Sequence, residues 1–331
     1  DLSNFNTSKV ANMSRMFEES QVTTLDTSNF DTLNVTDMSG MFSISQATTI
    51  DVSNFDTSNV TNMSYMFNRS KATVLDLSNF DTSNVTNMGD MFYMSKAITL
   101  DLSNFNTSKV IDMIWMFSYS HATTINVSSF DTSKVVNMGY MFYYTKSVTL
   151  DVSKFNTSNV SNMSYMFAES KVTTLDLNNF DTTKVTDMSY MFAGIPTTTL
   201  DISSFDTSNV RNMDFMFANR NIKTIYVSNK FNTKNVTIST KMFNNSINLV
   251  GGAGTKYNSS YIDKTYARID GGTSNPGYFT DIADKPSEPN SFSTDSWPTI
   301  INAVKNNNIS KYNVGDTRTI DMGTYGTHTL R

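Results

Sequence analysis

The chain has no cysteine, five prolines and two histidines, His121 and His328, in 331 residues. The absence of cysteine excludes a disulfide framework, a thiolate nucleophile and a zinc knuckle, and two isolated histidines do not build a multi-histidine metal site. An unbridged chain leaves the redox compartment open. The net charge is −5, the isoelectric point is about 5.0 and the lysines do not gather into a run. The basic footprint of a general nucleic-acid binder is therefore missing. No apolar stretch approaches the roughly 20 residues that span a bilayer, so no membrane insertion is expected in this segment. The opening "DLSNFNTSKV" reads as a repeat entered partway and not as a signal peptide. The sequence is accordingly expected to be a fragment, with any export signal or anchor outside it.

What the chain has in quantity is methionine, 21 residues, and phenylalanine, 23 residues. Alignment on Asp1, Asp26, Asp51, Asp76, Asp101, Asn126, Asp151, Asp176, Asp201 and Tyr226 gives nine copies of 25 residues and a tenth with one extra residue near Lys230. A fixed period of this size is the mark of a solenoid. Within "ATTIDVSNF", Ile50 and Val52 flank Asp51 with the alternation of a short half-buried strand. Three residues on, Phe55 and its equivalents predict an aromatic spine. In "NVTNMSYMF", Val60, Met63 and Phe67 fall at i, i+3 and i+7, which predicts a helix of one to two turns, with the preceding "DTS" supplying oxygens to its free N–H groups. Nineteen methionines and 20 phenylalanines lie in these inward columns, which assigns them to the core and not to metal or cofactor binding.

One copy carries about eight apolar side chains, each worth roughly 1.5–3 kcal/mol on burial. Ordering its backbone costs about 1–2 kcal/mol per residue, so a copy does not fold alone. Stacking completes the burial, and the expected fold is an α/β solenoid, an array of strand–helix repeats. The expected divisions are the ten-repeat array at 1–250, a cap at 251–282, a linker at 283–295 and, at 296–331, the start of a further domain, a segment that resembles the opening of a domain found in large extracellular bacterial proteins.

The pattern LxLSxF(D/N)TSxVxxMxxMF, carried by residues 1 to about 250, resembles the 25/26-residue repeat of bacterial surface proteins. That family includes BspA-like leucine-rich-repeat adhesins and listerial and mycoplasmal surface lipoproteins. Ser239 departs from it by replacing a methionine. The resemblance implies the right-handed leucine-rich-repeat-like form, display at the bacterial cell surface and closure by a segment containing Tyr257, Tyr266, Tyr278 and Phe279. It names no ligand.

Two columns are candidate binding surfaces. The carboxylates Asp51, Asp76, Asp101, Asp151 and Asp176 lie between inward strand residues and point outward; they suit hydrogen bonding, a calcium ion or, least, acid–base work. Calcium is disfavoured because no glycine-containing aspartate loop recurs. An ice-binding threonine lattice is disfavoured because the aspartates interrupt it. The second column is the residue two after the first Met of each copy, which helical geometry turns away from the core. From Trp115 it runs Tyr140, Tyr165, Tyr190, Phe215, with Tyr143 and Tyr144 nearby. Contiguous exposed aromatics mark either interaction surface or packing between repeats. No catalytic residue, cofactor or metal ligand is assigned. The expected function is a non-catalytic surface adhesin or ligand-binding module recognising a host or community protein or glycan, with a structural stalk as the alternative.

Overall fold

The computed structural model describes Leu2 and residues 4–286, 291–305, 308–321 and 327–330. It divides into two units, Asp1–Ile282 and Ala283–Arg331. In the first, the alternation of apolar and polar residues produces very short parallel strands: β1 (Thr24–Leu25), β2 (Thr49–Ile50), β3 (Thr99–Asp101), β4 (Thr124–Asn126), β5 (Thr199–Asp201), β6 (Thr224–Val227) and β7 (Thr280–Asp281). Thr99 faces Thr124, Leu100 faces Ile125 and Asp101 faces Asn126, so equivalent residues of successive copies stand in register. A second line of parallel bridges joins Asn12, Asp37, Asn62, Asn87, Asp112, Asn137, Asn162, Asp187, Asn212 and Ile238. The last step is one residue longer, which absorbs the insertion near Lys230.

The helix predicted in each copy does not form. Residues 64–69 are a run of turns, and among the described residues the one α-helix is α1 (Trp297–Lys305), in the second unit. Tyr65 and Arg69 have φ of +60° and +54°, and the equivalent positions repeat this in most copies. A reversal of φ every fourth residue breaks the helical path. The N–H groups of Met66, Asn68 and Ser70 close turns onto Met63, Tyr65 and Phe67, whereas those of Met63, Tyr65, Phe67 and Arg69 donate to Asn87, Gly89, Met91 and Tyr93 of the next copy. Helix nucleation in so short a segment is unfavourable, and a neighbour in register offers partners for the alternate N–H groups instead. Turns repeating at spacings of three and four deliver the same inward residues, so the hydrophobic period is reproduced without the helix.

The "DTS" oxygens also act differently from expectation. Asp56 accepts from the N–H and hydroxyl of Ser58 in its own copy. The buried Thr57 hydroxyl donates to the Asp81 carbonyl one copy on, and equivalent threonines repeat this clasp from Thr7 to Thr207. Each buried hydroxyl is thereby paired across the copy boundary, which fixes register as well as satisfying the polar group.

Inside, Val60, Met63, Met66 and Phe67 and most of their equivalents are fully buried. The continuous aromatic ladder lies in the Phe67 column, with centroids 5.8 Å apart from Phe67 to Phe92 and 5.4 Å from Phe117 to Phe142. The predicted spine in the Phe55 column is buried but looser, at 6.4 Å between Phe80 and Phe105. Beyond Leu249, Tyr278 and Phe279 cover the last layer: Phe279 lies 4.9 Å from Phe231 and 5.7 Å from Phe217, and Tyr278 lies 5.0 Å from Phe243. The Asp270 carboxylate ties this segment by accepting from Ala253, Thr255, Gly272 and Gly277. Gly277 is required there, because a Cβ would sit 2.3 Å from the Arg268 carbonyl.

In the second unit, α1 buries Thr299, Ile300 and Ala303 and leaves Ile301 and Val304 exposed. β8 (Arg318–Asp321) pairs antiparallel with β9 (Thr327–Leu330). Residues 291–295, read above as linker, are part of this unit: Phe292 packs edge-on to Trp297 and Tyr312, and the Tyr312 hydroxyl donates to Asp295. Residues 287–290 of that expected linker lie outside the described residues.

Candidate functional site

On the strand face, Asp51, Asp76, Asp101, Asp151 and Asp176 are all exposed, as their alternation requires. None stands free. The Oδ1 of Asp51 accepts from the N–H and hydroxyl of Ser53, at 3.0 and 2.7 Å, and Asp76 and Asp151 treat Ser78 and Ser153 alike. Asp101 accepts from the Ser103 N–H and from the Asn126 amide, and Asp176 from the Asn178 N–H. Hydrogen bonds from the side chain and backbone of Ser53 hold the Asp51 carboxyl below its usual pKa, and those of Ser78, Ser103 and Ser153 do the same for Asp76, Asp101 and Asp151. The column is a ladder of local turns with a uniform chemistry. Among the described residues, no three acidic or histidine side chains converge as a group able to hold a metal ion.

The aromatic column occupies the opposite kind of backbone. Trp115, Tyr140, Tyr165, Tyr190 and Phe215 all have φ between +54° and +59°, at the left-handed corner of the turn. That corner points each side chain outward, and register brings the rings together. Centroids are 3.9 Å apart from Trp115 to Tyr140, 4.3 Å to Tyr165, 4.2 Å to Tyr190 and 4.5 Å to Phe215, with planes within 11° of parallel. The rings cover one another's faces, so all five are half-buried and not fully exposed as the sequence suggested. What they present outward is a strip of ring edges and phenol groups.

Tyr143 is the keystone beside this stack. Its ring stands edge-on to Trp115, Tyr140 and Tyr165 at 6.1, 5.6 and 5.7 Å, and to Tyr119 and Tyr144 at 5.1 and 5.0 Å. Edge-to-face packing sets the positive ring edge against a negative face. Burial, and then the neighbouring tyrosines, push the Tyr165 phenol well above its usual pKa. Tyr144, 42% exposed, is the most open member and stacks on Tyr119 at 5.0 Å.

Two depressions border the strip. One, of about 410 Å³, is lined by Tyr143, Tyr165, Tyr190 and Phe215 and by the small residues Ala168, Ala193 and Ala218, with Glu169 at its side. The other, about 550 Å³, is polar and includes Arg15, Tyr65, Arg69, Asp90 and Tyr93. Burial raises the pKa of Asp90 to about 6, against a hydrogen bond with Tyr65 and with added repulsion from Asp112. Sequence reasoning missed Tyr93, which joins Trp115 and Tyr119 edge-on at 5.6 and 6.0 Å and carries Arg69 over its ring. It also missed the alanine floor. Both occupy the third position after the aromatic column, and reading the repeat down that column shows Tyr93, Ser118, Tyr143, Ala168, Ala193.

Register, parallel pairing and the clasps between copies define a tandem-repeat protein whose variable outer side chains ride on an invariant interior. A family model described as "Mycoplasma protein of unknown function, DUF285" matches residues 1–94, 68–176 and 162–274 in tandem, and the chain belongs to that family. No curated protein and no solved structure matches the chain.

Proposed function

We propose that this chain is a non-catalytic ligand-binding module displayed at the bacterial cell surface, a right-handed leucine-rich-repeat-like solenoid akin to BspA-like adhesins that recognises a host or community protein or glycan. The observation that carries this reading is the strip from Trp115 to Phe215 with the depression of about 410 Å³ beside it. Left-handed backbone is unfavourable for bulky residues by about 1–2 kcal/mol each, and aromatic side chains at five successive left-handed corners create a surface on one side of the molecule. Because the ring faces are covered, the partner meets edges, hydroxyls and the pocket wall. The strand-face carboxylates, each held by its own serine or asparagine turn, are the weaker candidate surface.

The test is retention of the purified chain on mucin, matrix proteins and glycan arrays, compared with the triple variant Tyr140→Ser, Tyr165→Ser, Tyr190→Ser. Loss of retention with an unchanged circular dichroism spectrum is the expected outcome; equal retention by the variant removes the aromatic strip as the binding surface. The stacking itself favours a second reading, a stalk in which the rings only brace successive copies. That reading predicts no retention by the unmodified chain and a large fall in melting temperature for the triple variant.

A further inference from the structure

The lysines do not cluster along the sequence, yet one position of the repeat collects them in space. The residue six after the aromatic column is Gln21 and Gln46 in the first two copies, then Lys71, Lys96, His121, Lys146 and Lys171, then Pro196 and Asn221. The N–H groups of all five basic residues donate to the equivalent carbonyl of the preceding copy, Ser45, Ser70, Ser95, Ser120 and Thr145 in turn. Their Cα atoms therefore form one straight row, with copies roughly 4.8 Å apart as in any parallel pairing.

The side chains converge as well. Lys96 Nζ lies 2.8 Å from His121 Nε2, and Lys146 Nζ lies 3.2 Å from His121 Nδ1. A neutral imidazole has one acceptor nitrogen, so it accommodates one of these ammonium groups and not both. Burial and the two lysines hold the His121 pKa below its usual value. The ion pair of Arg15 with Glu18 lies far along the chain from this row, and no described carboxylate is within ion-pair distance of the row's lysines. A contrasting column shows that lysines on this molecule do find partners: Lys109 and Lys184 each donate to an asparagine of the preceding copy, Asn84 and Asn159, at 2.6 Å. Gln21 and Gln46 in the basic row's own position fold back onto the carbonyls of Glu19 and Ile44.

Four lysines without a neutralising carboxylate, with a neutral histidine in their midst, on a chain of net charge −5 make a local field opposed to that of the whole. We infer that Lys71, Lys96, His121, Lys146 and Lys171 form a binding track for a linear acidic polysaccharide, whose carboxylate or sulfate groups bridge successive basic side chains. Several observations favour a polysaccharide over nucleic acid. The track is a single row with at most one cation per copy, not the broad basic face that a duplex of high charge density requires. Exposed Thr73, Thr123 and Thr173 stand two residues along from Lys71, His121 and Lys171 and offer hydroxyls suited to sugar hydroxyls. The position two residues before the row holds Arg69, Met94, Tyr119 and Tyr144 before reaching Glu169, so three of the four lysines adjoin no acidic group there. This inference is independent of the aromatic stack.

The experiment measures binding of the purified chain to heparin and to hyaluronate by fluorescence anisotropy at several salt concentrations, with neutral dextran and single-stranded DNA as comparison polymers. Binding to an acidic polysaccharide that weakens with salt, and no binding to dextran, is expected. The variant Lys96→Gln, His121→Gln, Lys146→Gln should lose on the order of tenfold or more in affinity and show a shallower salt dependence. Glutamine already occupies this position in two copies, so the variant is compatible with the backbone. Lys109→Gln, Lys184→Gln should bind as the unmodified chain does, and so should the Tyr140→Ser, Tyr165→Ser, Tyr190→Ser variant. The inference is overturned by absence of binding to both polysaccharides, by equal binding of the basic-row variant, or by DNA binding as tight as that of the polysaccharides.

Discussion

The strand face and the turn face are cut from the same 25 residues and solve opposite problems. On the strand face the aspartates are held by the Ser or Asn two residues on, inside their own copies, with Asp101 also accepting from Asn126 of the next copy. On the turn face the side chains bond and stack across copies: Trp115 on Tyr140, Tyr119 on Tyr144, Lys96 on His121. A locally satisfied side chain is insensitive to its neighbour's identity. A side chain that meets the next copy's equivalent makes the order of copies matter, and in a stacked array that order is where one region is distinguished from another.

The largest effect should come from the interior beneath the turn face. Phe142→Ala interrupts the Phe67-type ladder in mid-array and should lower stability by about 3–5 kcal/mol, read by thermal or urea denaturation. Phe155→Ala, in the looser column, should fall at the low end of that range. A reversed order would mean that ring stacking adds nothing to burial.

Next in size, Tyr143→Ala removes the ring that stands edge-on to five neighbours and should lower stability by about 2 kcal/mol. Its counterpart on the strand face, Asp51→Ala, should leave the melting temperature nearly unchanged. Comparable losses would erase the distinction between coupled and local faces.

The faces should also separate by pH. The carboxyls of Asp51 and Asp151 have folded pKa values below the unfolded value, so their contribution is present above about pH 4 and is lost as pH falls through the folded values. Asp90 on the turn face is raised to about 6; the folded state holds its proton more tightly than the unfolded state does. Stability from this group therefore falls as pH rises from about 4 to about 6, the opposite slope in a different window. Asp90→Asn should flatten that window and, after allowance for solvent screening of a partly exposed group, stabilise the protein at pH 7 by about 1 kcal/mol. Melting temperatures of the two chains from pH 3 to pH 7 decide the matter.

The smallest effect concerns the left-handed corners. Met94, at φ +52° and 38% exposed, occupies the position that Gly194 fills at φ +67°. Met94→Gly relieves about 1–2 kcal/mol of backbone strain and returns roughly 0.5–1 kcal/mol of unfolded-chain entropy, for a net gain of about 0.5 kcal/mol in denaturation midpoints. A loss would show that Met94 packs against the turn face despite its exposure.

Much of the array is legible in one copy. Ile50 and Val52 alternate with Asp51, and they are buried while it is exposed. Met63, Met66 and Phe67 read as interior and are interior. The error was in the backbone between them, because apolar positions three and four apart serve a helix and a chain of turns equally well; the positive φ at Tyr65 and Arg69 leaves no trace in hydropathy. The same ambiguity hid the role of Thr57, which reads as a cap and acts as a clasp to the next copy.

The sequence alone determined the period, the inward columns, the insertion near Lys230 and the list of variable outward residues, since these depend on apolar spacing within a single copy. Only the tertiary structure decided which outward residues touch. Stacking in register places Trp115 on Tyr140 and sets His121 between Lys96 and Lys146, residues 25 apart along the chain. The physical reason is that register is held by backbone bonds and threonine clasps between copies. A short-range pattern specifies what each copy buries, and pairing between copies converts its exposed letters into surfaces.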